Sequence, residues 1–376
     1  MDPAEFDRSE WDIAVIGAGP AGSVAAYALA REGFSVLLID KEKFPRKKVC
    51  GACLNERALA GLAALGLKQA VLDCHPHPLS KFHLAHRGRA AEIPIRLGVS
   101  LSRERLDETL ARKAREAGAV FLDGVQGFVR GVSGNRREVE LEERDSSQGD
   151  CPLFIRARVV IAADGLGGSS LKHLKEFTSI AKPRSHFGAG ISIADGPEFF
   201  RPGVIYMAVG DDGYAGAVRL EDGRLNIAAA LGALALKQAE AATPAHAVAR
   251  ILGRAGFPEI PDLANSDFRG TPLLTRRRNR IAAERLLVIG DSAGYVEPFT
   301  GEGMEWAIAS GRAAAGLARE GARAWHPGLA RRWTHTYQSL IGCRQFSCRL
   351  VSLALRNPLL ISLAIKGAGP LSLCKR

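Results

Sequence analysis

Ile13-Ala14-Val15-Ile16 is a short apolar run that ends at glycine, the pattern of a buried strand. Small residues from about Pro20 to Arg31 predict a helix that Gly33 ends, and Ser35-Val36-Leu37-Leu38-Ile39 is a second strand. Strand, helix and strand in such quick succession form a parallel βαβ unit. Helical periods recur at Glu56 to Leu65, Leu106 to Ala117 and Gly303 to Arg319; buried strands recur at Arg158 to Ala163 and Leu286 to Ile289. Residues 79 to 97 alternate around Phe82, Leu84, Ile93 and Ile95, as antiparallel strands do, and Gly134 to Asp150 reads as a charged hairpin or loop.

The middle of the chain has a different texture. Gly188 to Ala194, Val204 to Val209, Tyr214 to Leu220 and Leu225 to Leu231 are short strands, with turns at residues 210–213 and 221–223, followed by a helix from Pro244 to Ala255. This predicts an antiparallel sheet inserted into an α/β frame. From Pro327 the chain is helical again, with Leu329, Trp333, Tyr337 and Ile341 on one face until Pro358 interrupts it.

The first βαβ unit carries Gly17-Ala18-Gly19-Pro20-Ala21-Gly22 directly after its strand. Gly17 permits the tight turn, Gly19 lets a pyrophosphate approach the backbone, and Gly22 lets helix and strand pack closely. The helix start, Pro20 and Ala21 included, offers N–H groups to the phosphates. Asp40 ends the second strand, where a carboxylate can accept both ribose hydroxyls, with Lys41 next to it. An acid there disfavours a 2′-phosphate, so FAD or NAD fits better than NADP. Further on, Asp164-Gly165 and Gly290-Asp291 each follow a buried strand, and Gly301-Glu302-Gly303-Met304 opens a helix near Pro298. A carboxylate at a strand end suits a polyol hydroxyl and glycine N–H groups suit an electron-rich ring, which favours FAD.

With these residues in place, the sequence resembles the FAD-dependent group that includes aromatic hydroxylases, flavin-dependent halogenases and geranylgeranyl reductases. Arg103 with Leu106-Asp107 belongs to the same pattern, and Phe44-Pro45-Arg46 with Lys48-Val49-Cys50-Gly51 forms a K-x-C-G element similar to the reductase and halogenase branch. The resemblance implies that Asp40 holds the adenosine ribose and Asp291 the ribitol. It also implies that Arg103 approaches the FAD, that Val125 lies near the adenine, and that Pro298 to Met304 runs beside the isoalloxazine. Arg46, Lys48, Cys50 and Gly51 would lie near the flavin. The expected fold is α/β: a Rossmann-like FAD-binding domain (1–74, 99–185 and 270–325), an inserted antiparallel substrate sheet (75–98 and 186–269) and a C-terminal helical segment (326–376).

The chain departs from each subgroup. The halogenase G-W-x-W-x-I-P element is absent. Tyr214-Ala-Gly-Ala-Val-Arg219 lacks the Trp, Phe and Pro of the reductase element Y-x-W-x-F-P, and Asp164 to Lys172 is one residue too long for the hydroxylase D-G-x-x-S-x-x-R. The reading favoured on sequence is a monooxygenase acting on a hydrophobic polyketide-, prenyl- or acyl-derived molecule. The alternatives are an ene-reductase or dehydrogenase of the geranylgeranyl reductase type, and a non-catalytic flavin-binding or carrier-docking module. Cys50, Arg46, Glu302 and Tyr206 are the catalytic candidates, Cys50 or Tyr206 as a proton donor. NAD(P)H is the expected electron donor, although no second G-x-G-x-x-G supplies a separate nicotinamide domain.

Composition then sharpens the picture. Seven cysteines in 376 residues, scattered and odd in number, fit a reducing, cytoplasmic setting. Cys50-x-x-Cys53 and the run His75, His77, His83 and His86 lack a partner pair at ligand spacing, so no metal is expected. The uncharged run Ile13 to Ala30 is broken by Gly17, Gly19, Pro20 and Gly22 and preceded by acids, which fits neither a membrane span nor a secretory signal. The formal charge is +11, yet residues 312 to 376 hold eleven basic residues and one acid, leaving the rest nearly neutral. That basic segment interleaves Arg with Leu, Ile, Trp and Phe. It suits an anionic membrane surface or an acidic carrier protein, and equally a helix that packs its apolar face on the body. Nucleic acid is not expected, since no reader motif accompanies the charge.

Overall fold

The computed structural model describes residues 10–95, 98–143, 153–211, 213–237, 243–297, 299, 301–355, 360, 361, 363, 365 and 371–372. Pro298 and Pro358, both singled out on sequence, lie outside these.

The βαβ unit forms as the pattern predicts: β1 (Glu10–Ile16), α1 (Pro20–Ala30) and β2 (Val36–Asp40). Helix α2 (Arg103–Glu116) starts at Ser102, whose hydroxyl accepts the Arg105 N–H, a side-chain N-cap. Strands β3 (Val120–Asp123), β4 (Leu153–Ala162) and β5 (Leu286–Val288) complete a parallel sheet in the order β5-β4-β1-β2-β3. β1 is central and wholly apolar from Ile13 to Ile16, as a strand covered on both faces must be. The sheet places Gly17, Asp40, Asp164 and Gly290 along one carboxyl edge, the position at which open α/β sheets bind ligands.

Between β3 and β4 the chain takes the hairpin alternative read for Gly134 to Asp150, with a first strand that starts before that range. Val125–Ser133 and Arg136–Glu143 are long antiparallel strands turned at Gly134, and β4 begins five residues before the expected Arg158. Alternation is present there, Val139 and Leu141 being buried between Glu138, Glu140 and Glu142, but the acidic positions hide it. Glu140 pairs with Arg130 across the hairpin.

The inserted sheet has the order Arg269–Leu273, Phe187–Ile193, Leu225–Leu231, Gly213–Arg219, Val204–Gly210, Lys81–His86, Arg89–Pro94 and Leu371–Ser372. Residues 81–94 thus join it as expected, through a parallel pairing with Val204–Gly210. Along that strand Tyr206 and Ala208 pack against the helix Pro244–Ala255, while Met207 and Val209 face Phe299.

Two further helices close the first body. Helix α3 (Gly303–Arg323) crosses α1, and α4 (Gly328–Tyr337) buries Leu329, Trp333 and Tyr337 in the same core as β1. The Trp333 indole donates to the Val288 carbonyl at 3.0 Å. The helix-crossing is set by Gly311, where a β-carbon would stand 2.2 Å from the Ala21 carbonyl oxygen; at exposed Gly316 it would meet nothing. Gly311→Ala is therefore expected to lose about 1–3 kcal/mol through overpacking, and Gly316→Ala to gain about 0.5–1 kcal/mol of helix propensity. Urea unfolding of the two variants checks the opposite signs.

Candidate functional site

The glycine turn is fixed by contacts no side chain would allow. Gly17 has φ +106°, and a β-carbon on it would lie 2.4 Å from the Ala163 carbonyl oxygen; on Gly22 it would lie 1.9 Å from the Gly17 oxygen. Gly19 is different: a β-carbon there would meet only the Arg46 and Arg103 guanidinium groups, at 3.6 and 3.7 Å. The face of the turn is open to those two cations, and the start of α1 has no side-chain cap on its N–H groups.

Arg46 and Arg103 are held by two carboxylates. Arg103 grips Asp107 through Nε and Nη2 at 2.9 and 2.7 Å, one helical turn away on α2. Arg46 Nη1 reaches the same carboxylate at 3.2 Å and its Nη2 reaches Asp40 at 3.4 Å. Asp40 also accepts the Ala18 N–H at 2.8 Å, which ties the end of β2 to the glycine turn. Asp107 is fully buried. Burial pulls Arg103 down, but Asp107 and Cys50 beside it outweigh that and hold it above the ordinary guanidinium range.

Behind this cluster stand Lys48 and Asp291. A β-carbon at Gly165 would lie 3.0 Å from Lys48 Nζ. Burial, then Arg103, lowers Lys48, while Asp291 opposes them. Burial raises Asp291 above the ordinary carboxylate range, with Lys48 and Arg103 pulling it back. Tyr295 is held neutral, far above the usual phenol range, by enclosure first and then by Asp291 and Cys50. Its hydroxyl faces Gly303, where a β-carbon would stand 3.2 Å away, and Gly301 faces Cys53. Burial and Cys50 push Cys53 up to about 12. The inserted sheet meets the same place: Asn226 Nδ2 donates to the Cys50 carbonyl at 3.0 Å, and Phe299 packs edge-on against Tyr214 and Phe82.

Residues 10–317 match the model of a family described as an FAD binding domain. The chain belongs to this family of FAD-binding flavoproteins. It is 30% identical over 358 residues to the menaquinone reductase of Mycobacterium tuberculosis, covering 86% of this chain and 80% of the relative. To digeranylgeranylglycerophospholipid reductase 2 of Methanopyrus kandleri it is 28% identical, covering 83% of this chain and 77% of the relative. Among solved structures, a geranylgeranyl bacteriochlorophyll reductase-like protein of Thermoplasma acidophilum superposes with a TM-score of 0.75 at 19% identity, covering 94% of this chain and 90% of the other. PqsL, described as a probable FAD-dependent monooxygenase of Pseudomonas aeruginosa, superposes with a TM-score of 0.74 at 17% identity, covering 95% and 100%. The protein is an FAD-dependent oxidoreductase of this superfamily, with a Rossmann-like cofactor domain, added antiparallel sheet and C-terminal helices.

The residues of this flavoprotein fit its cofactor. Arg46 Nε is a buried donor with no partner, on the guanidinium whose Nη2 stands beside the open face of Gly19, where an anionic pyrophosphate would find donors. Not every predicted residue joins the cradle by its side chain. Asp164 is occupied in locking its own turn, accepting the Ser170 N–H at 2.8 Å and the Ser292 hydroxyl at 3.1 Å. Val125 is buried in the sheet core just past β3, whose Asp123 lies opposite Asp40, and Lys41 is exposed. Met304 packs its side chain into a cluster with Leu59 and Leu62. Glu302 accepts the Cys348 thiol at 2.9 Å, and Glu305 pairs with Arg344.

Tyr206 stands apart, and its proposed proton-donor role is withdrawn. Its hydroxyl donates to the Phe199 carbonyl at 2.7 Å and accepts the Arg201 N–H at 3.0 Å, inside an aromatic cluster on the far face of the inserted sheet. The residues that sequence reading missed are Tyr295, Asn226 and Cys348, which carry no motif. Asp107 was named on sequence only as part of the family pattern; its grip on Arg103, four positions away on the helix, was not read.

Two measurements test the cradle. Arg103→Lys loses the two-pronged grip on Asp107 and is expected to weaken FAD affinity on the order of tenfold to a hundredfold, the scale of a lost charge-assisted hydrogen bond; titration of the apoprotein with FAD measures it. Because Asp291 is raised in the folded protein, its stabilising proton is bound at low pH and lost as pH rises, so at neutral pH its charge is destabilising. Asp291→Asn is expected to raise the apoprotein melting midpoint at pH 7, with the difference vanishing as pH falls below the ordinary aspartate range, while FAD affinity drops.

Proposed function

We propose that this flavoenzyme reduces carbon–carbon double bonds in a prenyl lipid or lipid-like quinone, with NAD(P)H as the electron source. The observation that carries the reading is the pairing of enclosed, protonated Tyr295 and the thiol Cys50, beside Arg103, with an apolar wall of Phe82, Leu84, Met207, Tyr214 and Phe299. When bound, FAD supplies a hydride from its reduced ring. Saturating an alkene also needs a proton at the second carbon, and the chain has to deliver it in a site without bulk water. Cys50, in its K-x-C-G element, and Tyr295 are the donors at hand. Arg103 sits where it can stabilise the thiolate left behind. The apolar wall suits an isoprenoid chain.

The two relatives reported by sequence support the same choice, being named as reductases of a quinone and of a geranylgeranyl lipid. Oxygen insertion, favoured on sequence, is the second reading. The likeness to PqsL that accompanies it rests on fold, at 17% identity.

Anaerobic incubation of the chemically reduced holoprotein with a geranylgeranyl lipid separates the two. The expected product gains two hydrogens per double bond, and Cys50→Ala lowers turnover about 10²–10⁴-fold while flavin content stays unchanged. Products that gain an oxygen atom, and only in air, would overturn the reductase reading.

A further inference from the structure

We infer that the C-terminal segment is a docking surface for an anionic lipid bilayer. The sequence left this open against a helix that merely covers the body, and the structure divides the segment between the two roles. Up to Ile341 the apolar side chains point inward: Leu329, Trp333, Tyr337 and Ile341 are buried in the main core. After that the pattern changes. Phe346 is 59% exposed, Leu350 54% and Leu363 62%, the three most exposed large apolar side chains among the described residues. Phe346 and Leu350 are one turn apart on the helix Cys343–Leu355, so they share a face. Leu360 and Leu363 are exposed, while Ile361 and Ile365 are buried against the inserted sheet beside Met207 and Phe299.

Water-facing Phe and Leu in such density need a cover. The charge around them says which. Residues 312 to 376 carry eleven basic residues and one acid, Glu320, which pairs with Arg332, and Arg323 and Arg331 are exposed on the segment leading to this face. Apolar side chains on a basic segment are what an interfacial helix presents to a bilayer: the apolar groups enter the acyl boundary while Lys and Arg meet anionic headgroups. No helix among the described residues is long and apolar enough to cross a membrane, so the contact would be peripheral.

The location gives the contact a use. The same helix holds the ring-side loop, through the Cys348 thiol on Glu302 and Arg344 on Glu305. Ile361 and Ile365 lie on the apolar wall next to Phe299. A bilayer at this surface would be adjacent to the apolar side of the inserted sheet, so an apolar substrate reaching it need not cross water. The inference does not depend on which reaction the flavin runs.

The test uses the full-length holoprotein and sedimentation with two kinds of vesicle, phosphatidylcholine alone and phosphatidylcholine with phosphatidylglycerol. Truncation would remove Ile361 and Ile365 from the core, so the variant is Phe346→Ser/Leu350→Ser/Leu363→Ser, which alters exposed positions only. Wild type is expected to bind the anionic vesicles at least tenfold more strongly than the neutral ones, with binding weakened by salt. The triple variant is expected to lose at least tenfold in partitioning while keeping its flavin and melting midpoint. A wild type that stays in the supernatant with anionic vesicles at low salt would overturn the inference. So would a triple variant, flavin intact, that sediments like wild type, or binding to an acidic carrier protein in place of vesicles.

Discussion

A β-carbon on Gly22 would stand 1.9 Å from the Gly17 carbonyl oxygen, and one on Gly17 would collide with Ala163 and Asp164. The turn between β1 and α1 exists only because neither position has a side chain. Several other features depend on that close approach. It brings α1 down onto the sheet, lets α3 cross it at Gly311, and leaves the α1 N-terminus uncapped at the carboxyl edge. Asp40 then locks the turn by accepting the Ala18 N–H, and Arg46 and Arg103 come to rest over Gly19.

The charges around the turn explain each other. Arg103 and Arg46 share Asp107, Arg46 also reaches Asp40, and Lys48 and Asp291 oppose each other behind them. Enclosed ions are tolerated only when paired. The pairing here leaves one donor, Arg46 Nε, without an acceptor at the mouth of the glycine turn. The apolar side chains Phe82, Leu84, Met207 and Tyr214 come from one face of the inserted sheet, which meets the cofactor cradle through Asn226 on the Cys50 carbonyl and packs Phe299 against Tyr214 and Phe82. Polar binding and apolar binding are thereby kept on different elements, and Cys50 lies where they meet.

What the sequence revealed and concealed follows from range. The glycine turn and Asp40 are local, set by spacings of a turn or a strand, and they could be read directly, whereas Arg103 and Asp107 entered only through the family pattern and their pairing was not read. The inserted sheet was legible from period-two runs with glycine turns between them, even to the joining of residues 81–94. Of the hairpin Val125–Ser133 and Arg136–Glu143, the second strand falls in the range read as a charged hairpin or loop, and the first was not read because its apolar positions are interleaved with glycine and polar residues. Tyr206 was misplaced for a related reason: a strand's period says which residues share a face, not which face looks at the cofactor. Tyr295 and Cys348 had no signal at all. Cys348 meets Glu302 across forty-six residues of chain, and only packing brings them together.

The central claim is that this cradle holds one flavin dinucleotide per chain by its pyrophosphate. Equilibrium titration of the apoprotein with FAD, FMN and NAD tests it most directly. The account predicts equimolar FAD binding that FMN, which has no pyrophosphate, cannot displace at matched concentration, and that Arg46→Met weakens FAD binding while leaving FMN binding unchanged. Equal affinity for FMN and FAD, or preference for NAD, would contradict it.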